Sequence, residues 1–204
     1  WSWSRGLGDV YKRQEEQNMI RNMVRDFAEE ILLPTTLARD QEQRAPLDEW
    51  KKFCETSLQG IAIDEKYGGS PVDDITEAII VEELARVDPS FSVMYCVHVG
   101  LCSTTISIHG NEQQKEKYLT RLAGNEIGAY SLSEAGSGTD AAAMVCKAKL
   151  NDEGTHYVLN GEKMWVTNGS SADIYVLFAK DVDHPEYGVT VSYTHLTLPT
   201  SRSV

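Results

Sequence analysis

The sequence predicts an α+β fold, with an N-terminal all-helical domain followed by the start of an antiparallel, β-barrel-like middle domain. Three observations predict it. Up to Gly124 apolar residues recur every three to four positions, and after it they recur every two. Turn signals at Asn151-Asp152-Glu153-Gly154 and Asn160-Gly161 punctuate short runs rich in β-branched and aromatic residues. Helices gathered ahead of strands, without β-α-β alternation, argue against a doubly wound sheet.

Taken in order, Glu15 to Leu33 places Met19/Ile20, Met23/Val24, Phe27/Ala28 and Ile31/Leu32 on one stripe, and Pro34 is expected to end that helix. A second stripe follows Pro46, with Leu47, Trp50, Phe53 and Leu58, and closes at Gly60. "IAIDEKYGGS" reads as a loop. Asp74, three residues ahead of Glu77, approximates a capping box for a helix carrying Ile75, Ala78, Ile79 and Leu84. Asp88-Pro89 supplies a cap and first residue for the next helix, "FSVMYCVHVGLCSTTISI", which is apolar nearly all round and must be buried on most sides. Asn111 and Gln114 cap one more, stopped by Gly124. Beyond it "IGAYSL", "MVCKAKL", "THYVLN", "EKMWVTN" and "DIYVLFAK" read as strands, with Asn160-Gly161 as a type I′ hairpin turn.

The termini are read separately. "DVYKRQ" (9–14) back-translates to a short DNA element, and "VSYTHL" (191–196) reads off its complementary strand. Two protein segments have no physical reason for that relation, and the element resembles a transposon end used in making sequencing libraries. Residues 1–14 and 191–204 are therefore expected to be non-native scars, flanking a helical domain over 15–125 and a truncated β domain over 126–190.

The net charge of −12 argues against sequence-independent nucleic-acid binding, which needs clustered Lys and Arg. The longest apolar stretch, near Val93 to Leu101, is broken by His98 and falls short of the roughly 20 residues a membrane span needs. Cys54, Cys96, Cys102 and Cys146 lack paired spacing, which suits reduced thiols. A metal at Cys96-x-His98-x3-Cys102 is disfavoured, because Cys96 falls on nearly the opposite helix face from the other two.

"SLSEAGSGTDA", Ser131 to Ala141, matches the Gly-x-Gly-x-x-Gly/Ala pattern of a dinucleotide-binding turn. That reading needs a helix next, whereas Val145, Lys147 and Lys149 alternate with Cys146, Ala148 and Leu150 as a strand would. An ordinary tight connection is the alternative. The density of hydroxyls at Ser131, Ser133, Ser137 and Thr139, with backbone N–H groups at Gly136 and Gly138, instead suits a polar heterocycle and an anion. In "EKMWVTNG", Trp165 and Thr167 stand two apart, so on a strand they share a face, where the indole can cover a flat ring or else fill the core of the sheet.

"YSLSEAGSGTD", "HYVLNGEKMWVTNG", "IAIDEKYGG", "VEELARVDPS" and "HGNEQQKEKYLTRLAGNE" resemble, in order and spacing, the N-terminal and middle domains of an acyl-CoA dehydrogenase, in wording most similar to the short/branched-chain branch. The resemblance implies FAD as cofactor, held by Tyr130, Ser131, Leu132, Ser133, Gly138 and Thr139 on the loop and by Trp165, Val166 and Thr167, with Thr167 near flavin N5. It implies an acyl-CoA substrate near Thr139, and Met94, Tyr95 or Val97 on the buried helix after Pro89 either close the acyl pocket to long chains or only pack the bundle. It further implies α,β-dehydrogenation, electron transfer flavoprotein as partner and a homotetramer, in the cytoplasm of a bacterium or the mitochondrial matrix of a eukaryote. No metal is implied. The glutamate base belongs to a C-terminal helical domain absent here, so none of Glu126, Glu134, Glu153 or Glu162 is assigned that role, and this polypeptide alone is expected to be inactive. An acyl-CoA oxidase on the same scaffold, or a non-catalytic binding relative, are the alternatives.

Overall fold

The computed structural model describes residues 2–185 and 189–194, with side chains over 14–185. Helix α1 (Ser2–Phe27) runs through the residues expected to be a scar, and a π-helical turn, Ala28–Leu32, joins it to α2 (Leu33–Glu42). Pro34 therefore does not end the helix. It falls at the start of α2, directly after the wide turn, where a missing N–H is tolerated. The amphipathic stripe is enclosed at Val24, Ala28 and Leu32, whereas Met19 and Met23 are exposed.

Helix α3 (Leu47–Cys54) brings in Trp50 and Phe53, and α4 (Asp74–Val87) brings Ile79, Ile80 and Leu84. The cap of α4 is Asp73 rather than Asp74, its carboxylate accepting from the Thr76 N–H at 2.7 Å. Asp88 and Pro89 open α5 (Pro89–Cys96) as the sequence expects, with the Phe91 N–H donating to Asp88 at 3.0 Å. A second π turn, Val97–Ser103, continues α5 into α6 (Thr104–His109). α7 (Glu112–Ala123) carries the full Asn111/Gln114 capping box.

Together Pro89–His109 form one helical rod that is long and apolar enough, by length and composition alone, to cross a membrane, which corrects the expectation that no stretch reaches that length. More than half of its apolar window is buried inside the fold, as expected of a core helix, and the aromatic rings of Phe91 and Tyr95 pack among Trp50 and Phe53.

The sheet is mixed rather than antiparallel. Its strands are β1 (Gly128–Ser131), β2 (Lys147–Leu150), β3 (Tyr157–Asn160), β4 (Ile174–Asp181) and β5 (Val189–Thr194). β4 is the spine. It pairs in parallel with β1 along Gly128↔Ile174 to Ser131↔Leu177, and in parallel with β2 at Lys147↔Lys180 and Ala148↔Asp181. Among the strands of the described residues, the antiparallel pairs are β2·β3 and β4·β5. Parallel neighbours need a long crossover, and the loop, the β2–β3 hairpin and the segment after it supply one between β1 and β4. β5 crosses residue 190, where the sequence ends the domain, and residues 195–204 lie outside the described residues.

One face of this sheet, through Ile174 and Val176, packs with Cys102, Ile106, Leu119 and Leu122 of the helices. The approach is close at one point. A Cβ on Gly128 would stand 2.7 Å from Cys102 Sγ, so only glycine lets β1 lie on the π turn.

Candidate functional site

The loop after β1 is folded on itself. The Glu134 N–H donates to Ser137 O at 2.9 Å and the Ser137 N–H returns to Glu134 O at 3.1 Å, leaving Ala135 and Gly136 at an exposed tip. Ser137 turns its hydroxyl inward to Asp140 O at 2.9 Å, so of the four loop hydroxyls this one is used by the chain itself. Ser133 is half-buried and Thr139 exposed. Only a three-residue 3-10 turn, Ala141–Ala143, follows before β2, so the helix a Rossmann turn requires is absent.

The segment 161–169 is not the strand expected from its composition. Asn160-Gly161 makes no type I′ hairpin, since β3 is already paired to β2 through the Asn151–His156 turn. At Gly161, φ is 153°, and a Cβ would meet Cys146 Cα at 2.7 Å, so the glycine serves a close crossing over β2 instead of a reversal. Trp165 then adopts φ 58° and Asn168 φ 65°, left-handed angles that end any two-residue alternation. Trp165 and Thr167 therefore do not share a strand face. Trp165 is 85% exposed, the largest apolar side chain so displayed among the described residues.

Four hydrogen bonds place this turn. The Met164 N–H donates to Ser133 O at 2.8 Å, laying Trp165 beside the hydroxyl loop. Asn168 Nδ2 donates to Met94 O at 3.1 Å and Gly128 O at 2.9 Å, fixing the turn to α5 and β1 at once. Tyr175 adds its hydroxyl to Gly169 O at 2.7 Å.

Two clefts flank the turn. One of about 350 Å³ lies between the sheet and the turn, lined by Ser131, Lys163, Val166, Tyr175 and Leu177. The other, also about 350 Å³, brings Thr167 and Asn168 together with Met94, Ser90 and Arg39. Arg39 is 2% exposed and bonded to Asp88, with Glu49 at 3.2 Å, so this cleft has a charged wall held by the helical core. Burial works to raise the Asp88 carboxyl pKa, but Arg39, the Phe91 N–H and the Ser90 hydroxyl outweigh it and hold it below the usual range.

Of the expected site residues, Ser131 and Val166 meet in the first cleft, and Met94 and Thr167 in the second. Tyr130 packs its ring on Phe178 at 4.9 Å and stays half-buried. Tyr95 is corrected. It is fully enclosed, edge-on to Phe53, with its hydroxyl on Leu58 O at 3.1 Å, and lines neither cleft, because its position on α5 faces the aromatic core. Val97 is buried and lines neither cleft either. Sequence reasoning missed Lys163 and Asn168. Asn168-Gly169 carries a turn signal that could have marked the second.

Glu134 is occupied. Its carboxylate accepts the Val145 N–H at 2.6 Å, the Cys146 N–H at 3.0 Å and Lys163 Nζ at 2.7 Å. Burial tends to raise its pKa, yet Lys163 and the two N–H groups win and lower it. His98 is held through one ring nitrogen. Its Nδ1 accepts the Gly128 N–H at 3.1 Å, its ring meets Trp50 edge-on at 4.8 Å, and burial pushes its pKa down to about 4. Among the described residues no three His, Cys, Asp or Glu side chains gather as metal ligands would.

Residues 14–126 match the family model for the acyl-CoA dehydrogenase N-terminal domain, and residues 129–202 that for the acyl-CoA dehydrogenase middle domain. A short-chain-specific acyl-CoA dehydrogenase of Clostridium acetobutylicum is 43% identical over 165 residues, covering 80% of this chain and 43% of the relative. Mitochondrial isovaleryl-CoA dehydrogenase of Bos taurus is 40% identical over 169 residues, covering 81% of this chain and 39% of the relative. The crystal structure of an acyl-CoA dehydrogenase complexed with FAD from Bacillus anthracis is similar at a TM-score of 0.82 and 37% identity, over 91% of this chain and 31% of that one. The chain spans about two fifths of the length of these curated relatives. By both domain matches and these identities, it belongs to the acyl-CoA dehydrogenase family.

Proposed function

We propose that this chain is the flavin-holding part of an enzyme that removes one hydrogen each from the α and β carbons of short- or branched-chain acyl-CoA thioesters. The observation that carries the reading is the Met164–Ser133 bond, which sets an exposed indole beside a hydroxyl-lined loop. FAD fits the residues present. Trp165 keeps an aromatic face in solvent at a left-handed backbone angle, a strained arrangement that gains nothing from burial. Gly136 and Gly138 have nothing within 4 Å of where a Cβ would stand, and neither has a left-handed φ, so nothing in the chain itself calls for glycine there. Open space over bare backbone suits an approaching phosphate.

When bound, FAD would supply the two-electron acceptor. Ser133, Leu132 and the Tyr130 and Ser131 backbone would hold the polar side of the ring, with Gly138 and Thr139 towards the phosphates. Trp165 and Val166 would cover the ring and exclude water, which strengthens every polar contact beneath them. Thr167 shares its cleft with Met94, so a hydroxyl and the acyl-pocket wall lie in one cavity. Met94, 4% exposed and bonded through its carbonyl to Asn168, is the residue we assign to limiting chain length.

Glu134 is unsuited to abstract the α-proton, because both its oxygens are engaged. We assign the base to a part of the protein this chain does not contain. Electron transfer flavoprotein as acceptor and assembly into a tetramer belong to the same proposal and rest on the motif resemblance.

Titrating the chain with FAD tests the reading. We expect quenching of Trp165 fluorescence and of the flavin, lost in Trp165→Ala, and no turnover of butyryl-CoA with a dye acceptor. Absence of any FAD-dependent signal, or turnover by this chain alone, would overturn it.

A further inference from the structure

Lys163 and Glu134 stand 29 positions apart in sequence, yet their side chains meet at 2.7 Å with only 7% and 4% exposure. Lys163 Nζ also donates to Leu132 O at 2.9 Å and lies 4.0 Å from Met144 Sδ. Glu134 in turn takes the N–H groups of Val145 and Cys146. Three stretches of chain converge on the pair: the exit of β1, the entry to β2, and the turn that carries Trp165. A buried ion pair is poorly compensated for its desolvation unless its geometry is complete, and an apolar pair would pack as well. What charge and directed hydrogen bonds add is one permitted alignment.

We propose that Glu134 and Lys163 are positioning residues, a buried latch that fixes the alignment of the Ser131–Ala141 loop against the Trp165 turn before any ligand arrives. The latch's ligand rests on the flavin reading above, whereas its geometry does not. Without it, the Met164–Ser133 bond alone would tie the turn to the loop, and hydroxyls and indole would sample several alignments. The pair thereby lowers the ordering cost a bound ring must meet.

Amide hydrogen exchange on the 204-residue chain tests this in the wild type, Lys163→Met, Lys163→Arg and the double variant Glu134→Gln/Lys163→Met. We expect protection at Val145, Cys146 and Met164 to fall at least about tenfold in Lys163→Met while helical amides such as Leu122 keep theirs, and Lys163→Arg to restore most of it. FAD affinity should weaken about tenfold in the variants that lose protection and recover in Lys163→Arg. Should Lys163→Met unfold the helices as well, the double variant, which leaves no unpaired charge, decides. Unchanged protection at the three amides overturns the latch, and so does lost protection with unchanged FAD affinity. A wild type that takes up no FAD would defeat the flavin reading instead, and the exchange data would still judge the alignment.

Discussion

In the helical half Trp50, Phe53, Phe91 and Tyr95 interlock with centroids 5.4–6.2 Å apart, none more than 1% exposed. Around β2 and β4 the core is Cys146, Ala148, Leu177 and Ala179, and although Tyr130, Phe178 and Tyr175 pack elsewhere on the sheet, the tryptophan of that half, Trp165, stands in solvent. The same residue type is spent differently. In the helices aromatics supply cohesion, since burying and pairing rings is among the largest contributions a side chain makes. Around β2 small residues let strands and turns approach closely, and the indole of Trp165 adds nothing to that cohesion.

The largest test of that contrast is Phe53→Ala, which should cost about 3–5 kcal/mol in denaturant unfolding, because four neighbouring rings lose a partner. A loss below about 1 kcal/mol would mean the cluster does not carry the helical half.

His98 sits where the two halves meet and gives the next effect. Folded, it titrates near 4, and unfolded near 6.5. Between those values the unfolded state binds the extra proton, so stability is untouched above pH 6.5 and declines as pH falls towards 4, by about 3 kcal/mol in all. The difference in acid slope between wild type and His98→Gln, followed by urea unfolding, isolates this from the carboxylates. Identical slopes would remove His98 from the account.

The smallest stability effect belongs to Trp165→Ala, within about 0.5 kcal/mol of wild type. A loss comparable to that of Phe53→Ala would erase the distinction between the two halves.

Much of the helical half was legible because its signals are local. Asp88-Pro89 and Asn111/Gln114 are caps whose partners lie within three residues, and those bonds form as read. Pro34 was misread because the π turn ahead of it leaves no mark in composition. The sheet was legible as strands but not as pairings, since the parallel ladders of β4 join residues dozens of positions apart. Trp165 to Asn168 looked like a strand by residue type, and left-handed angles at both overrode it. The loop and the tryptophan segment were both singled out from sequence, while the Lys163–Glu134 contact between them was not, for no local pattern encodes a partner 29 residues away.

The π turn at Val97–Ser103 has a numerical consequence for the rod it interrupts. Such a turn houses about one residue more than regular winding needs. Removing one amino acid there would let the helix rewind around the deficit, keeping Phe91 and Ile106 pointed as they are. The same deletion inside α4, between Ile80 and Leu84, would swing Leu84 by about 100° relative to Ile79 and Ile80. The chain thus carries, beside its sheet, a built-in tolerance to changes of length that its neighbouring helix lacks.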